Sequence, residues 1–223
     1  MIFYIIPYIF LVFMSLLSLK IKGGGYKFLF LVGLIPATLV EICKNFFGVD
    51  RVEHVLDPTL LMGEYFFRKI IDNNKITPSK CITYILDENT IKHKLVEKIK
   101  IKKSIESHVS LSRNKALSIQ EWLNYFAHAD VVITDSFHGM VFSILFKKDF
   151  YVIINKSRGA DRFYSLCDML EISNRLIDSE DCRIEDFQSL NYENINCKLS
   201  ALRIKSSSFL LDSLRDVNEF LNK

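Results

Sequence analysis

The pattern of apolar and polar positions from about residue 50 onward alternates between strand and helix signals. Short runs of β-branched and aromatic residues, most of them bounded by turn or polar residues, predict strands. These runs are Val52–Leu56, Cys81–Leu86, Ile105–Leu111, Val131–Thr134 and Phe150–Ile154. Val131–Thr134 carries no charge, as expected for a strand that helices cover on both faces. This alternation predicts an α/β fold, in which a parallel sheet is flanked by helices.

Segments with apolar residues three or four positions apart predict the intervening helices. They are Glu64–Ile71, Glu88–Ile99, Gly139–Phe146, Asp161–Leu170, Ser207–Leu221 and a helix that follows Ser118. Asp57-Pro58 is expected to stop any helix at that point and to turn the chain. The helix over 88–99 is expected to bury Ile91, Leu95 and Ile99, four residues apart.

Ser118 and Glu121 have the spacing of a capping box, which predicts where the next helix begins. Its expected buried face is Ile119, Trp122, Leu123 and Phe126, and the expected stripe of the last helix is Leu210, Leu214, Val217 and Leu221. The residues predicted to be largely buried are Trp122, Val132, Phe142, Leu145 and Ile153.

The first 44 residues are apolar and differ from the rest of the chain. Met1–Leu19 holds no charged residue and nearly matches a membrane span in length, with Lys20 and Lys22 directly after it. Three interpretations are open: a membrane anchor with the following domain in the cytoplasm, a buried element of the fold, or the remnant of a truncated gene. We therefore divide the chain into an N-terminal segment, 1–44, and an α/β domain, 45–223.

Composition excludes several classes of protein. The net charge of +3 is too small to indicate nucleic acid, so none is expected as a partner. The five cysteines include no C-x-x-C pair, and their odd number argues against a disulfide framework and for reduced thiols in the cytoplasm. No cluster of cysteine and histidine has the spacing of metal ligands, so no metal site is predicted.

The turn after Val131–Thr134 carries the candidate chemistry. Ligands of parallel α/β sheets bind beyond the carboxyl ends of the strands. There, Asp135 or Ser136 can cap the next helix, Gly139 lets the backbone approach a ligand, and His138 can contact a phosphate or transfer a proton. Cations follow the next strand at Lys156, Arg158 and Arg162. These residues predict an anion site but no particular reaction.

The segment from Ala129 to Phe146 resembles the signature of the polysaccharide pyruvyl transferase family, in which a strand ends in T-D-S-F-H-G before an apolar helix. Similar motifs occur in the same order elsewhere, over about residues 45–223. They are Asp57-Pro58-Thr59-Leu60-Leu61, Glu121-Trp122-Leu123, Arg158-Gly159, Asp161-Arg162-Phe163 and Asn174-Arg175. Some members carry Arg-Leu before the His-Gly, whereas this chain has Ser136-Phe137.

The resemblance implies a fold like the C-terminal domain of a glycosyltransferase of the B type. It implies transfer of a pyruvyl group from phosphoenolpyruvate to a sugar of a surface polysaccharide or its precursor, without a cofactor. His138 and Asp135 would be catalytic, while Ser136, Gly139, Lys156, Arg158 and Arg162 would bind substrate. The acceptor would be a saccharide or lipid-linked saccharide. The protein is expected in the cytoplasm, at the inner face of the membrane if its first segment is an anchor.

Two other functions stay open from the sequence. A glycosyltransferase that uses a nucleotide sugar could bind a diphosphate at the same turn. The second open function is that of a non-catalytic remnant or a membrane-tethered binding module. It stays open because the family resemblance implies an N-terminal domain, and residues 1–39 do not resemble one. Truncation of this kind could leave the chain inactive.

Overall fold

The computed structural model describes residues 18–20, 26–28, 45, 53–71, 79–111, 117–156, 159–178, 187 and 189–221. The chain divides into two compact units, Met1–Leu61 with Ser200–Lys223 and Met62–Leu199. The boundary that we predicted at residue 44 lies outside the described residues and stays a prediction.

The second unit is built on a parallel sheet of five strands. The first unit holds an antiparallel pair of strands, β1 (Ser18–Lys20) and β2 (Tyr26–Phe28). The five strands of the parallel sheet are β3 (Ser79–Tyr84), β4 (Val109–Ser110), β5 (Ala129–Thr134), β6 (Asp149–Ile153) and β7 (Leu176–Ile177). Their order across the sheet is β4-β3-β5-β6-β7, and every neighbouring pair is parallel. The predicted α/β fold is confirmed, and β5 lies at its centre.

Helices precede, connect and follow the strands of the sheet along the chain. They are α1 (Pro58–Arg68), α2 (Thr90–Lys102), α3 (Ile119–His128), α4 (Phe137–Leu145), α5 (Asp161–Leu170) and α6 (Tyr192–Leu221), with a short 3₁₀ turn at Ser173–Arg175. Helix α5 has the predicted bounds. Helix α6 begins fifteen residues before the predicted Ser207.

The segment before α1 does not form the predicted strand. Residues 53–57 belong to no strand, and the Leu56 amide donates to Ser206 Oγ (3.0 Å) rather than to a neighbouring strand. Pro58 opens a helix instead of preventing one, since proline lacks only an amide that would have no acceptor in the first helical turn. Asp57 caps this start, because its Oδ1 accepts from the Thr59 amide (2.8 Å).

Helix α2 faces the sheet with a different stripe from the one predicted. Leu95 and Ile99 are buried, but Ile91 is 48% exposed and Lys92 is only 7% exposed. An apolar residue near the start of the helix therefore points to solvent while a lysine faces inward. The physical reason is a buried carboxylate that only the fold brings within reach of Lys92.

Helix α3 begins with the predicted capping box. Ser118 Oγ accepts from the Glu121 amide (3.2 Å), and Glu121 Oε2 accepts from the Ser118 amide (2.9 Å). Leu123 and Phe126 are buried as predicted, whereas Ile119 is exposed because it belongs to the first turn, beside the cap. In the expected stripe of α6, Leu210 is half-buried and Leu214 is exposed, so the prediction is wrong at Leu214.

The core predictions are confirmed at four of five positions. Val132, Phe142, Leu145 and Ile153 are at most 8% exposed, and Trp122 is half-buried. No helix in the described part of the chain is long and apolar enough to cross a membrane. Most of Met1–Leu19 lies outside that part, so the three interpretations of this segment stay predictions.

Two buried cysteines give a chemical test of the core. Burial raises the pKa of Cys81 and of Cys167 to about 12, so their thiolates are trace species at pH 8. We expect iodoacetamide at pH 8 to label exposed Cys197 far faster than either of them, and urea to remove the difference. Peptide-resolved mass spectrometry measures each site, and equal rates at Cys81 and Cys197 in the folded protein would contradict this packing.

Candidate functional site

The predicted turn lies where the sequence placed it. Strand β5 ends at Thr134 and α4 begins at Phe137, so Asp135 and Ser136 form the connection at the carboxyl edge of the sheet's central strand. Ser136 caps the helix, because its Oγ accepts from the Gly139 amide (3.3 Å). The prediction that Asp135 or Ser136 caps this helix is thus settled in favour of Ser136.

Thr134 ties this turn to the neighbouring strand. Its Oγ1 donates to the carbonyl oxygen of Tyr84 at the end of β3 (2.7 Å) and accepts from the Ser136 amide (3.0 Å). Thr134 is fully buried. One hydroxyl therefore connects two adjacent strand ends and the residue that caps α4.

The Thr134 side chain leaves no room for a side chain at position 139, which is glycine. A Cβ atom at position 139 would lie 2.3 Å from Thr134 Oγ1, which is closer than atoms pack, and 3.0 Å from the Thr134 Cβ, which is a tight contact. Helix α4 can lie this near to β5 only because residue 139 has no side chain. The packing of α4 on β5 does not test whether a ligand also approaches the backbone at Gly139, which stays a prediction.

We expect Gly139→Ala to destabilise the protein by about 1–3 kcal/mol through overpacking. Helix propensity acts in the opposite direction, since alanine is favoured over glycine within a helix by about 0.5–1 kcal/mol. Urea denaturation decides the sign. The loss should shrink when Thr134→Ala is introduced as well, and an additive double variant would show that Thr134 is not the cause.

Asp135 is buried, and its carboxylate faces the loop after β3. Its Oδ1 accepts from the Leu86 amide (2.6 Å), and its Oδ2 accepts from the Asp87 amide (3.2 Å) and from Lys92 Nζ (2.6 Å). These contacts fasten the turn to the β3–α2 loop and explain why β3 ends at Tyr84 rather than at the predicted Leu86. The predicted catalytic role of Asp135 stays a prediction.

Three further polar residues complete this part of the site. Lys92 Nζ also donates to the Asp87 carbonyl oxygen (2.8 Å), and the Asp87 carboxylate accepts from Asn155 Nδ2 (2.5 Å). Lys92 and Asn155 are buried. Sequence reasoning missed Lys92, although its spacing from Leu95 and Ile99 matches that of a buried helix face.

His138 is the second residue of α4 and is half-buried. Its ring contacts the ring of Phe137, with 5.9 Å between centroids. Arg162, in the first turn of α5, places its guanidinium carbon 5.0 Å from the centroid of the same Phe137 ring. The structure thus brings two of the predicted site residues, His138 and Arg162, to one aromatic side chain.

The other predicted cations are less closely defined. Lys156 is exposed, three residues beyond the end of β6, and Arg158 lies outside the described residues. No three side chains of histidine, cysteine, aspartate or glutamate come together as a metal site would need, within the part of the chain that the structure describes. The arrangement offers a helix N-terminus, an imidazole and a nearby guanidinium, which suit an anionic ligand.

Comparison with known proteins identifies one family. A family model described as polysaccharide pyruvyl transferase matches residues 40–157, more than half of the chain and including the whole His138 turn. No curated protein matches the chain, and no solved structure matches it. The likeness to a B-type glycosyltransferase domain therefore stays a prediction.

Proposed function

The chain belongs to the polysaccharide pyruvyl transferase family, and from this premise we propose that it transfers a pyruvyl group from phosphoenolpyruvate to a saccharide of a surface polysaccharide or its precursor. The observation that carries the proposal is the family match across a His-Gly turn at the carboxyl edge of a parallel sheet. The proposal includes a cytoplasmic location, at the inner face of the membrane if the acceptor is lipid-linked.

In the proposed reaction, a carbon atom of phosphoenolpyruvate takes up a proton and phosphate leaves. Two hydroxyls of the acceptor form C–O bonds to the enol carbon of phosphoenolpyruvate, whose methylene carbon becomes a methyl group by taking up a proton. The C–O bond to phosphate breaks. Of the two hydroxyl protons, one balances the proton taken up by the methylene carbon and the other leaves with the phosphate. The product is a cyclic ketal that retains the donor's carboxylate.

His138 is the proposed acid or phosphate contact. An imidazole exchanges protons near neutral pH, and its place in the first turn of α4 is where a helix favours an anion. Ser136 and Gly139 would contribute to donor binding through the same helix start. The Asp135 carboxylate accepts two hydrogen bonds from amides of the β3–α2 loop and one from Lys92 of α2, and we propose that its part in catalysis is to hold this turn.

The donor's carboxylate and phosphate require cations. Arg162 is the best supported, because its guanidinium lies against the Phe137 ring, directly beside His138 in the chain. We propose that Lys156 and Arg158, from the loop after β6, complete the charge. An arginine can bind either anionic group with two parallel hydrogen bonds.

Donor binding tests the proposal without knowledge of the acceptor. Titration calorimetry of the chain with phosphoenolpyruvate should give saturable binding, and a nucleotide sugar should not compete. Competition by the nucleotide sugar, with no heat from phosphoenolpyruvate, would favour a glycosyltransferase. No binding of either ligand would favour a non-catalytic protein.

We expect Arg162→Ala to weaken phosphoenolpyruvate binding by about 1.5–3 kcal/mol, the range of a hydrogen bond to a charged group. Lys94→Ala is a suitable control, because Lys94 is an exposed residue of α2. Calorimetric dissociation constants measure both. An Arg162→Ala variant that keeps its fold and binds as tightly as the wild-type protein would remove Arg162 from the donor site.

A further inference from the structure

Four polar residues form a network across the carboxyl ends of three adjacent strands, and the backbone of Asp87 is part of it. Asp135 follows β5, Asp87 lies in the loop after β3, and Asn155 follows β6. Lys92 of α2 joins two of these segments, since its ammonium donates both to Asp135 Oδ2 (2.6 Å) and to the Asp87 carbonyl oxygen (2.8 Å). Asn155 Nδ2 extends the network through the Asp87 carboxylate (2.5 Å).

Because this network is buried, its charged groups are stable only when their hydrogen bonds have good geometry. The side chain of Lys92 is 8% exposed and that of Asp135 is 0% exposed. Moving two charges out of water is costly, and their attraction compensates only when the geometry is good and further hydrogen bonds are made. Here the carboxylate accepts three donors and the ammonium has two acceptors, so each group is held from several directions.

The network ends at the residues that flank the proposed site. Asp135 directly precedes Ser136, the cap of α4, and lies three residues before His138. Asn155 directly precedes Lys156, where the proposed cationic loop begins. A displacement of Lys92 would therefore be transmitted to the histidine turn through Asp135, and toward the cationic loop through Asp87.

We propose that Lys92 is a positioning residue, which holds the His138 turn in the geometry that the reaction needs. The part of this inference that concerns donor binding rests on the proposed function. Lys92 acts through Asp135 and Asp87, and its charge is paired within the protein. The alternative is that the ion pair contributes to folding stability alone.

Three variants on one helix separate these roles. Lys92→Met removes the ammonium at similar side-chain length, Lys92→Arg keeps a cation, and Lys94→Met is the matched control at an exposed position. The first measurement is the NMR spectrum of the imidazole groups, with the His138 signal assigned from His138→Ala. The second is the dissociation constant of phosphoenolpyruvate.

We expect Lys92→Met to move the His138 signal while those of His54, His108 and His128 stay in place, and to weaken phosphoenolpyruvate binding about tenfold or more. The His93 signal does not enter this comparison, because His93 is the neighbour of Lys92 in α2. Lys92→Arg should recover part of both effects, and Lys94→Met should change neither. A His138 signal that is unchanged in folded Lys92→Met overturns the proposal. An equal change in all five histidines also overturns it, because that result indicates a general loss of structure.

A second variant covers failure to fold, since Lys92→Met leaves a buried carboxylate without its cation. Lys92→Met with Asp135→Asn removes both charges and keeps one oxygen, which can accept from one of the two loop amides. A displaced His138 signal in this double variant supports the proposal, and a wild-type signal overturns it. The spectra need no donor, so a wild-type protein that fails to bind phosphoenolpyruvate would contradict the proposed function without deciding the role of Lys92.

Discussion

His138→Ala is expected to lower the rate of pyruvyl transfer by about 10²–10⁴-fold, the usual contribution of a positioned general acid. The loss should appear in turnover rather than in folding, because His138 is only half-buried and the cap of α4 is made by Ser136. In cells that depend on this gene, the variant should remove the methyl proton signal of the pyruvyl ketal from the surface polysaccharide.

The control for this experiment is His93→Ala. His93 is an exposed residue of α2, with 3.7 Å between its Nε2 and Glu88 Oε2, and its loss should leave the ketal signal unchanged. A His138→Ala protein that still produces the wild-type amount of ketal would refute the catalytic assignment. The turn would then serve to cap the helix and to fasten the strand ends.

Phe142→Ala is expected to destabilise the protein by about 3–5 kcal/mol, the cost of removing a packed aromatic ring from a core. Phe142 is 8% exposed, and its ring meets Phe67 and Trp122 edge to face at 4.9 and 5.1 Å between centroids. Its loss would remove the centre of this aromatic cluster and leave a cavity. Urea denaturation, followed by the fluorescence of Trp122, measures the change.

Tyr65→Ala provides the comparison for an exposed aromatic residue. Tyr65 is 73% exposed, and the ring contact that its side chain makes is with Lys69 Nζ (4.2 Å), so its removal should cost less than about 1 kcal/mol. A Phe142→Ala loss below about 1 kcal/mol would mean that α4 does not present this face to the cluster.

Much of the fold could be predicted because its signals are local. The capping box needs only Ser118 and Glu121, three residues apart, and the uncharged run in β5 is a property of consecutive residues. The order strand, turn, helix, strand is enough to place His138 at the carboxyl edge of a parallel sheet. The family signature lies in the same short segment.

Local signals failed where a partner distant in the chain decides the outcome. Asp57-Pro58 is a different case, because the aspartate cap and the proline in the first turn are local signals of a helix start, which the predicted stop overlooked. At the start of α2, hydrophobicity favoured burial of Ile91. Asp135, 43 residues beyond Lys92, has a buried carboxylate that needs a cation beside it. Lys92 therefore faces inward, and Ile91 faces the solvent.

The sequence by itself determined the α/β class, the uncharged strand over 131–134, the capping box of α3 and the position of the histidine turn, since each depends on residues within one element or on the order of consecutive elements. Only the tertiary structure decided what each turn residue contacts. It showed that Gly139 accommodates Thr134, and that Asp135 binds the loop after β3 and Lys92. Such contacts join segments that are far apart in the chain, so they cannot be predicted from the spacing of residues in the sequence.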